Sequence, residues 1–171
     1  MKKIFIFLSS IWLFMGASLL QAQTVSQTVR ISFEIEPVTV LKATSESGVS
    51  AVRLGPVSPK TEVPAKALKI DIMTNTRQRY RVYHQLSSEV TSGEGSSFPV
   101  EQLKFMVTSG NAGGASAIPN FASIPNGEIP IFTSKPEGGP DSFQILYSLE
   151  NQKLFSSGIY YGNISLDMRT E

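Results

Sequence analysis

A period of two runs through this sequence from the region of Val29 onward. Val29, Ile31, Phe33 and Ile35 alternate with Arg30, Ser32, Glu34 and Glu36. Leu68, Ile70 and Ile72 alternate with Lys69, Asp71 and Met73, and Tyr80, Val82, His84 and Leu86 with Arg79, Arg81, Tyr83 and Gln85. Phe143, Ile145, Tyr147 and Leu149 share one parity, as do Tyr160, Ile164, Leu166 and Met168. Successive side chains on a strand point to opposite faces, so these runs read as strands with one buried face. Shorter apolar runs at Ala51–Leu54, Leu103–Thr108 and Ile129–Thr133 add further strands, and no convincing amphipathic helix interrupts them. The expected fold is all-β: an immunoglobulin-like β-sandwich of seven to eight strands. A closed barrel is the alternative, disfavoured by short strands that contain proline. No internal period of 20–50 residues indicates a solenoid.

Local chemistry refines this outline. Asn75-Thr76-Arg77-Gln78 has the length of a turn, which predicts a hairpin between the runs ending at Met73 and starting at Arg79. Pro130 predicts an edge position for Ile129–Thr133, since proline cannot donate to a ladder. Pro37 likewise predicts an edge or a bend between Ile35 and Val38. Ser109–Pro119, rich in Gly, Ala and Ser, is expected to be irregular and mobile, and Ser87–Ser97 to be a loop.

Ahead of the first alternating run, Lys2 and Lys3 precede an apolar stretch, Ile4–Leu20, that ends at Leu20-Gln21-Ala22. This is the pattern of a secretory signal peptide, 1–22, cleaved after Ala22. The stretch is short of the about 20 unbroken apolar residues of a spanning helix. An exported chain, passing through the periplasm to the cell surface or the outside of the cell, is the expectation. The remainder, 23–171, has the size of a single domain.

Composition narrows the functional classes. The chain has no cysteine, which removes disulfides, thiolate metal sites and thiol nucleophiles. Lys and Arg number 15 and Asp and Glu 14; without Lys2 and Lys3 the balance is 13 to 14. Neither a nucleic-acid footprint nor a lipid-binding basic cluster is present. His84 is the only histidine and falls on an apolar strand face, where it reads as a packing residue. A Ser–His–Asp set is possible by arithmetic alone, without a nucleophile-elbow motif. Glu34 and Glu36 sit on one strand face beside Pro37 and read as a solvated polar face. Asp141, Glu137 and Glu150 read as loop charges without calcium spacing. Glycines around Gly110–Gly114 and Glu137–Gly139 lack the helix and lysine of a phosphate loop. Tyr83 and Tyr161 are placed on outer faces by parity. The sequon Asn163-Ile164-Ser165 reads as a chance occurrence in a strand. No enzymatic activity, metal or cofactor is expected.

Three segments carry a likeness. Val29–Leu41, ending Glu36-Pro37-Val38-Thr39-Val40-Leu41, resembles the N-terminal strand of colonization-factor-type fimbrial major subunits, the pilins of the alternate chaperone–usher class. Ala51-Val52-Arg53-Leu54 with Ser58-Pro59-Lys60 is similar to their next segment, and Gly158–Met168 to their Gly-x-Tyr-x-Gly final strand. Lack of cysteine fits the same class, whereas Gln85–Phe155 matches poorly. The resemblance implies an immunoglobulin-like sandwich lacking one strand, completed by the N-terminal extension of the next subunit. Residues 23–36 are then the extension, with Val25, Val29, Ile31, Phe33 and Ile35 as the donor-strand side chains. It also implies a fibre of copies or related subunits, with a periplasmic chaperone and an outer-membrane usher as transient partners. The alternative is a self-contained secreted or periplasmic β-sandwich that binds a glycan or protein ligand through the loops Ser87–Pro99 and Ser109–Asn126. A hydrolase built on His84 is the third and weakest reading.

Overall fold

The computed structural model describes residues 30–56, 63–86, 89–150 and 157–171. The chain divides between Glu34 and Ile35, and the fold described below belongs to 35–171. Among the described residues it is nearly all β. Seven strands have five or more residues: β1 (Thr39–Ser45), β2 (Lys66–Thr74), β3 (Tyr80–Leu86), β5 (Leu103–Val107), β8 (Ile129–Thr133), β9 (Asp141–Leu149) and β11 (Ile164–Thr170). Four two-residue strands, β4 (Thr91–Ser92), β6 (Ala115–Ser116), β7 (Ala122–Ser123) and β10 (Tyr160–Tyr161), complete the set. A short 3-10 turn, Val100–Gln102, leads into β5.

The strands form an antiparallel sheet in the order β1-β2-β9-β5-β7, a second in the order β11-β3-β8-β6, and a small β10-β4 ribbon. The buried residues of β2, β5 and β9 join those of β3 and β8 in one hydrophobic core. Phe132 of β8 stacks on Phe143 of β9 with ring centroids 4.1 Å apart. His84 of β3 stacks on Phe105 of β5 at 4.9 Å. The alternation read in the sequence is thus realised: Ile70, Ile72, Val82, Phe105, Ile145 and Tyr147 are buried, and their neighbours point outward.

Pairing departs from the local reading in several places. β2 and β3 do not form a hairpin. β2 pairs with β1 and β9, whereas β3 pairs with β11 and β8, so the connection after Thr74 crosses from one sheet to the other. Both strands bury one face in the same core, and a turn-length link serves a crossing as well as a hairpin. Their charges pair accordingly: Lys69 with Asp71 on its own strand at 2.8 Å, and Arg81 with Glu171 at 2.9 Å. β8 lies inside its sheet despite Pro130. The register slips between Val82 and Tyr83, which pair with Phe132 and Pro130, so Ile131 is the extra residue of a bulge. β6 pairs only with Phe132 and Thr133, so Pro130 faces no donor-requiring neighbour on that side. Ala51–Leu54 forms no strand, although Val52 and Leu54 pack half-buried on the core.

The Gly-rich stretch after Ser109 is pinned rather than irregular. Asp141, expected as a loop charge, opens β9 and is buried. Its carboxylate accepts hydrogen bonds from the backbone N–H of Ala112 (2.8 Å), Gly114 (2.9 Å) and Ser142 (2.7 Å). A side chain at Gly114 would run into the Phe132 ring and this carboxylate. Gly114→Ala is therefore expected to destabilise the fold by about 1–3 kcal/mol, as overpacking does. Urea unfolding should show a lower midpoint at an unchanged m-value.

Candidate functional site

The edges of the two large sheets are the places where this fold is incomplete as a hydrogen-bonding object. An antiparallel edge strand uses one side of its backbone and leaves the other side's N–H and C=O groups without a ladder partner. β11 is held over its whole length by β3, from Ile164↔Leu86 to Thr170↔Tyr80. Among the described residues no strand pairs with its other side. β1 is bound to β2 from Thr39↔Thr74 to Ser45↔Leu68 and is open in the same sense. Both are full-length edges, whereas β6 and β7 are two-residue stubs.

Burial follows the edges. On β2, β3 and β9 the core-facing Leu68, Ile70, Ile72, Tyr80, Val82, Phe143, Ile145 and Tyr147 are almost wholly covered, whereas Leu86 at the end of β3 is half-buried. On β11 the corresponding Ile164, Leu166 and Met168 are only half-buried against the core, as are Leu41 and Ala43 on β1. The outer face of β11 is polar: Arg169 pairs with Glu128, and its guanidinium lies 4.5 Å from the centroid of the Tyr83 ring. Parity had placed Tyr83 on that face. Tyr161 on β10 is likewise outward, at 66% exposure.

Ile31, Phe33 and Ile35 are 83%, 79% and 71% exposed, and 30–38 carries no strand. The half-buried strand expected from Val29 to Ile35 is therefore absent over its described part. Alternation is expressed as burial only where a partner face covers it. Val25 and Val29, the other two donor-strand candidates, lie outside the described residues. Exposed apolar side chains of this size forgo about 1.5–3 kcal/mol each relative to burial. The three stand at alternate positions of the sequence. Glu34 and Glu36 are exposed on either side of Ile35 and share no cleft.

The residues considered for chemistry are dispersed. His84 is buried, and its Nε2 lies 3.1 Å from the Tyr147 hydroxyl, while Nδ1 has no hydrogen-bond partner. The ring stacks on Phe105, and among the described residues its hydrogen-bond partner is the Tyr147 hydroxyl rather than a serine or a carboxylate. Burial pushes the imidazole pKa down to about 4 and the Tyr147 hydroxyl far up. Among the described residues no three His, Cys, Asp or Glu side chains cluster as a metal site, and no helix is long and apolar enough to cross a membrane. An open groove of about 470 Å³ is lined by Lys104, Phe121, Ser148 and Glu150. Lys104 there already bonds Glu150 at 2.9 Å and Ser123 at 2.8 Å.

No family model matches the chain, and no curated protein matches it.

Sequence reasoning missed one residue beside the extension. Asn75, read as part of a turn, bonds through its side chain to the backbone at Val38 and Glu36. Only its amide functionality hinted at this, since turn composition alone explains an asparagine at that position.

The buried histidine makes a pH signature. An unfolded chain protonates His84 near 6.5, whereas the folded one resists until about 4. Above 6.5 the imidazole is neutral in both states. As pH falls through the interval the unfolded state binds the extra proton, so stability declines and levels off below 4. At about 1.4 kcal/mol per pH unit the loss approaches about 3 kcal/mol. The unfolding free energy of the wild type, compared with His84→Leu between pH 7.5 and 3.5, should show this slope in the wild type alone.

Proposed function

We propose that this chain is an exported structural subunit of a surface fibre, assembled by addition of the N-terminal segment of one copy to an open strand edge of the next. The observation that carries the reading is the exposed, unpaired alternation of Ile31, Phe33 and Ile35 immediately ahead of β1. A strand of that composition gains main-chain ladder bonds and buries alternate side chains when it joins a sheet edge. The half-buried Ile164, Leu166 and Met168 of β11 are the complementary set.

Topology supports the same reading. The order β1-β2-β9-β5 corresponds to strands A-B-E-D of an immunoglobulin-like sandwich, and β11-β3 to F-C. In that correspondence the seventh strand, G, would flank β11 on its open side. β8 departs from the scheme, lying on the far side of β3 although it follows β5 in the chain. The resemblance of Val29–Leu41 and Gly158–Met168 to fimbrial major subunits adds to this. In this reading the leader 1–22 is removed after Ala22 and 23–36 is the extension, presenting Val25, Val29, Ile31, Phe33 and Ile35. A periplasmic chaperone covers the open edge in transit, and an outer-membrane usher receives the subunit. Contact between unlike surfaces of identical copies propagates as a fibre when its rotation does not close a ring.

The test uses the mature chain. Deleting 23–35 is expected to leave a monomer that no longer polymerises but binds a synthetic peptide of residues 23–35. Phe33→Asp in the full mature chain should lower oligomer formation by at least about tenfold, since it exchanges a buried aromatic for a charge. Size-exclusion chromatography with light scattering reads both. A full mature chain that is a stable, soluble monomer without a chaperone would remove the proposal. A glycan-array signal lost on replacing Phe121 would favour the loop-binding alternative instead.

A further inference from the structure

Resting on that reading, we infer that Asn75 is a positioning residue that clamps the chain where the extension leaves the domain and so steers the extension to a second copy. Its side chain makes two bonds of opposite sense. Oδ1 accepts from the Val38 N–H at 2.7 Å, and Nδ2 donates to the Glu36 carbonyl at 2.8 Å. The Asn75 backbone N–H donates to the Val38 carbonyl at 3.2 Å. The three bonds bracket Pro37, whose ring fixes φ and which has no N–H to donate.

The carboxamide works here as a peptide group. The β1–β2 ladder ends at Thr39↔Thr74, and the amide of the next residue extends it one step along the partner chain. Asn75 is itself held from both sides. Thr74 Oγ1 lies 3.2 Å from Thr39 Oγ1 and 2.9 Å from Thr76 Oγ1, and it accepts from the Thr76 N–H at 3.2 Å. The link from β2 to β3, which crosses between sheets, therefore also fastens Glu36 and Val38.

These bonds are exposed, so their contribution to global stability is small. Their larger effect is on freedom. With the clamp closed, backbone rotation of the extension begins N-terminal to Glu36; without the carboxamide, the Val38 N–H and the joint at Pro37 are released as well, while the Val38 carbonyl keeps its bond to the Asn75 N–H. A tethered strand competes for its own β11 edge at a high effective concentration unless geometry forbids the closure. Restricting the joint is the means by which a fixed geometry is imposed.

The experiment compares wild type with Asn75→Ala and Asn75→Asp in the mature chain. Aspartate keeps the acceptor for Val38 and loses the donor to Glu36. Asn75→Ala is expected to shift the melting temperature by no more than about 4 °C and to speed exchange of the Val38 amide by about tenfold. Because the chain has no cysteine, spin labels can be attached uniquely at Ser32→Cys and Gln144→Cys, and their distance distribution should broaden in Asn75→Ala. The same variant should move refolded protein from oligomers toward closed monomers, with Asn75→Asp between the two. Wild-type oligomers that depend on 23–35, combined with an unchanged monomer fraction in Asn75→Ala, overturn the role of Asn75 alone. A wild type that stays monomeric overturns the fibre reading and this role with it, whatever Val38 exchange shows.

Discussion

Two apolar sheet faces meet in this molecule, and their contact sets the consequences for every other element. Each strand contributes alternate residues, so a strand in the middle of a sheet is covered by neighbours on both sides and by the opposing sheet. Phe132 against Phe143, and Phe105 against His84, mark the line where the two faces meet. The same rule leaves β1 and β11 half-finished. Each has a hydrogen-bonded side and an open side, and each carries apolar residues that reach only the margin of the core. Proteins commonly blunt such edges with charge, proline or a bulge. Here Lys42, Asp167 and Arg169 put charge on the outward faces of β1 and β11, but that leaves the inward-facing apolar rows as they are.

How much of this could be read from the residues follows from which physical effects are local. Parity is local, so the core faces of the strands around Ile70, Val82, Ile145 and Leu166 were legible. Partner choice is not local. Leu68–Met73 and Arg79–Leu86 carry strand signals joined by a short link, and nothing in that link distinguishes a hairpin from a crossing between sheets. Pro130 is informative about a missing donor, but a bulge at Ile131 meets the same need inside a sheet as an edge would outside it. The glycines from Gly110 to Gly114 looked permissive because the carboxylate that organises them, Asp141, comes 27 residues after Gly114. His84 was legible as a packing residue because its neighbours in parity are all apolar.

The candidate site was legible by halves. The alternation from Val29 to Ile35 is plain in the sequence, and it would look the same in a strand completing its own domain as in one proposed to complete a neighbour's. Exposure is a tertiary property that parity does not carry: Ile31, Phe33 and Ile35 are exposed, whereas Leu68, Ile70 and Ile72 on β2 are buried. The open side of β11 had no sequence signal, because an edge is defined by what fails to pair with it.

A strand that can add to an edge faces a competition between its own edge and a neighbour's. Tethering favours the near edge, since short linkers give effective concentrations in the millimolar range. Polymerisation by strand addition therefore needs more than an apolar donor and an open acceptor; it needs the short route to be unfavourable. A rigid proline and a bidentate asparagine at the root of the extension act on that quantity directly. They do little for the stability of the domain, and they limit which edge the chain can reach. Sequence pattern selects the faces that can meet, and one amide at a turn bears on whose faces they are.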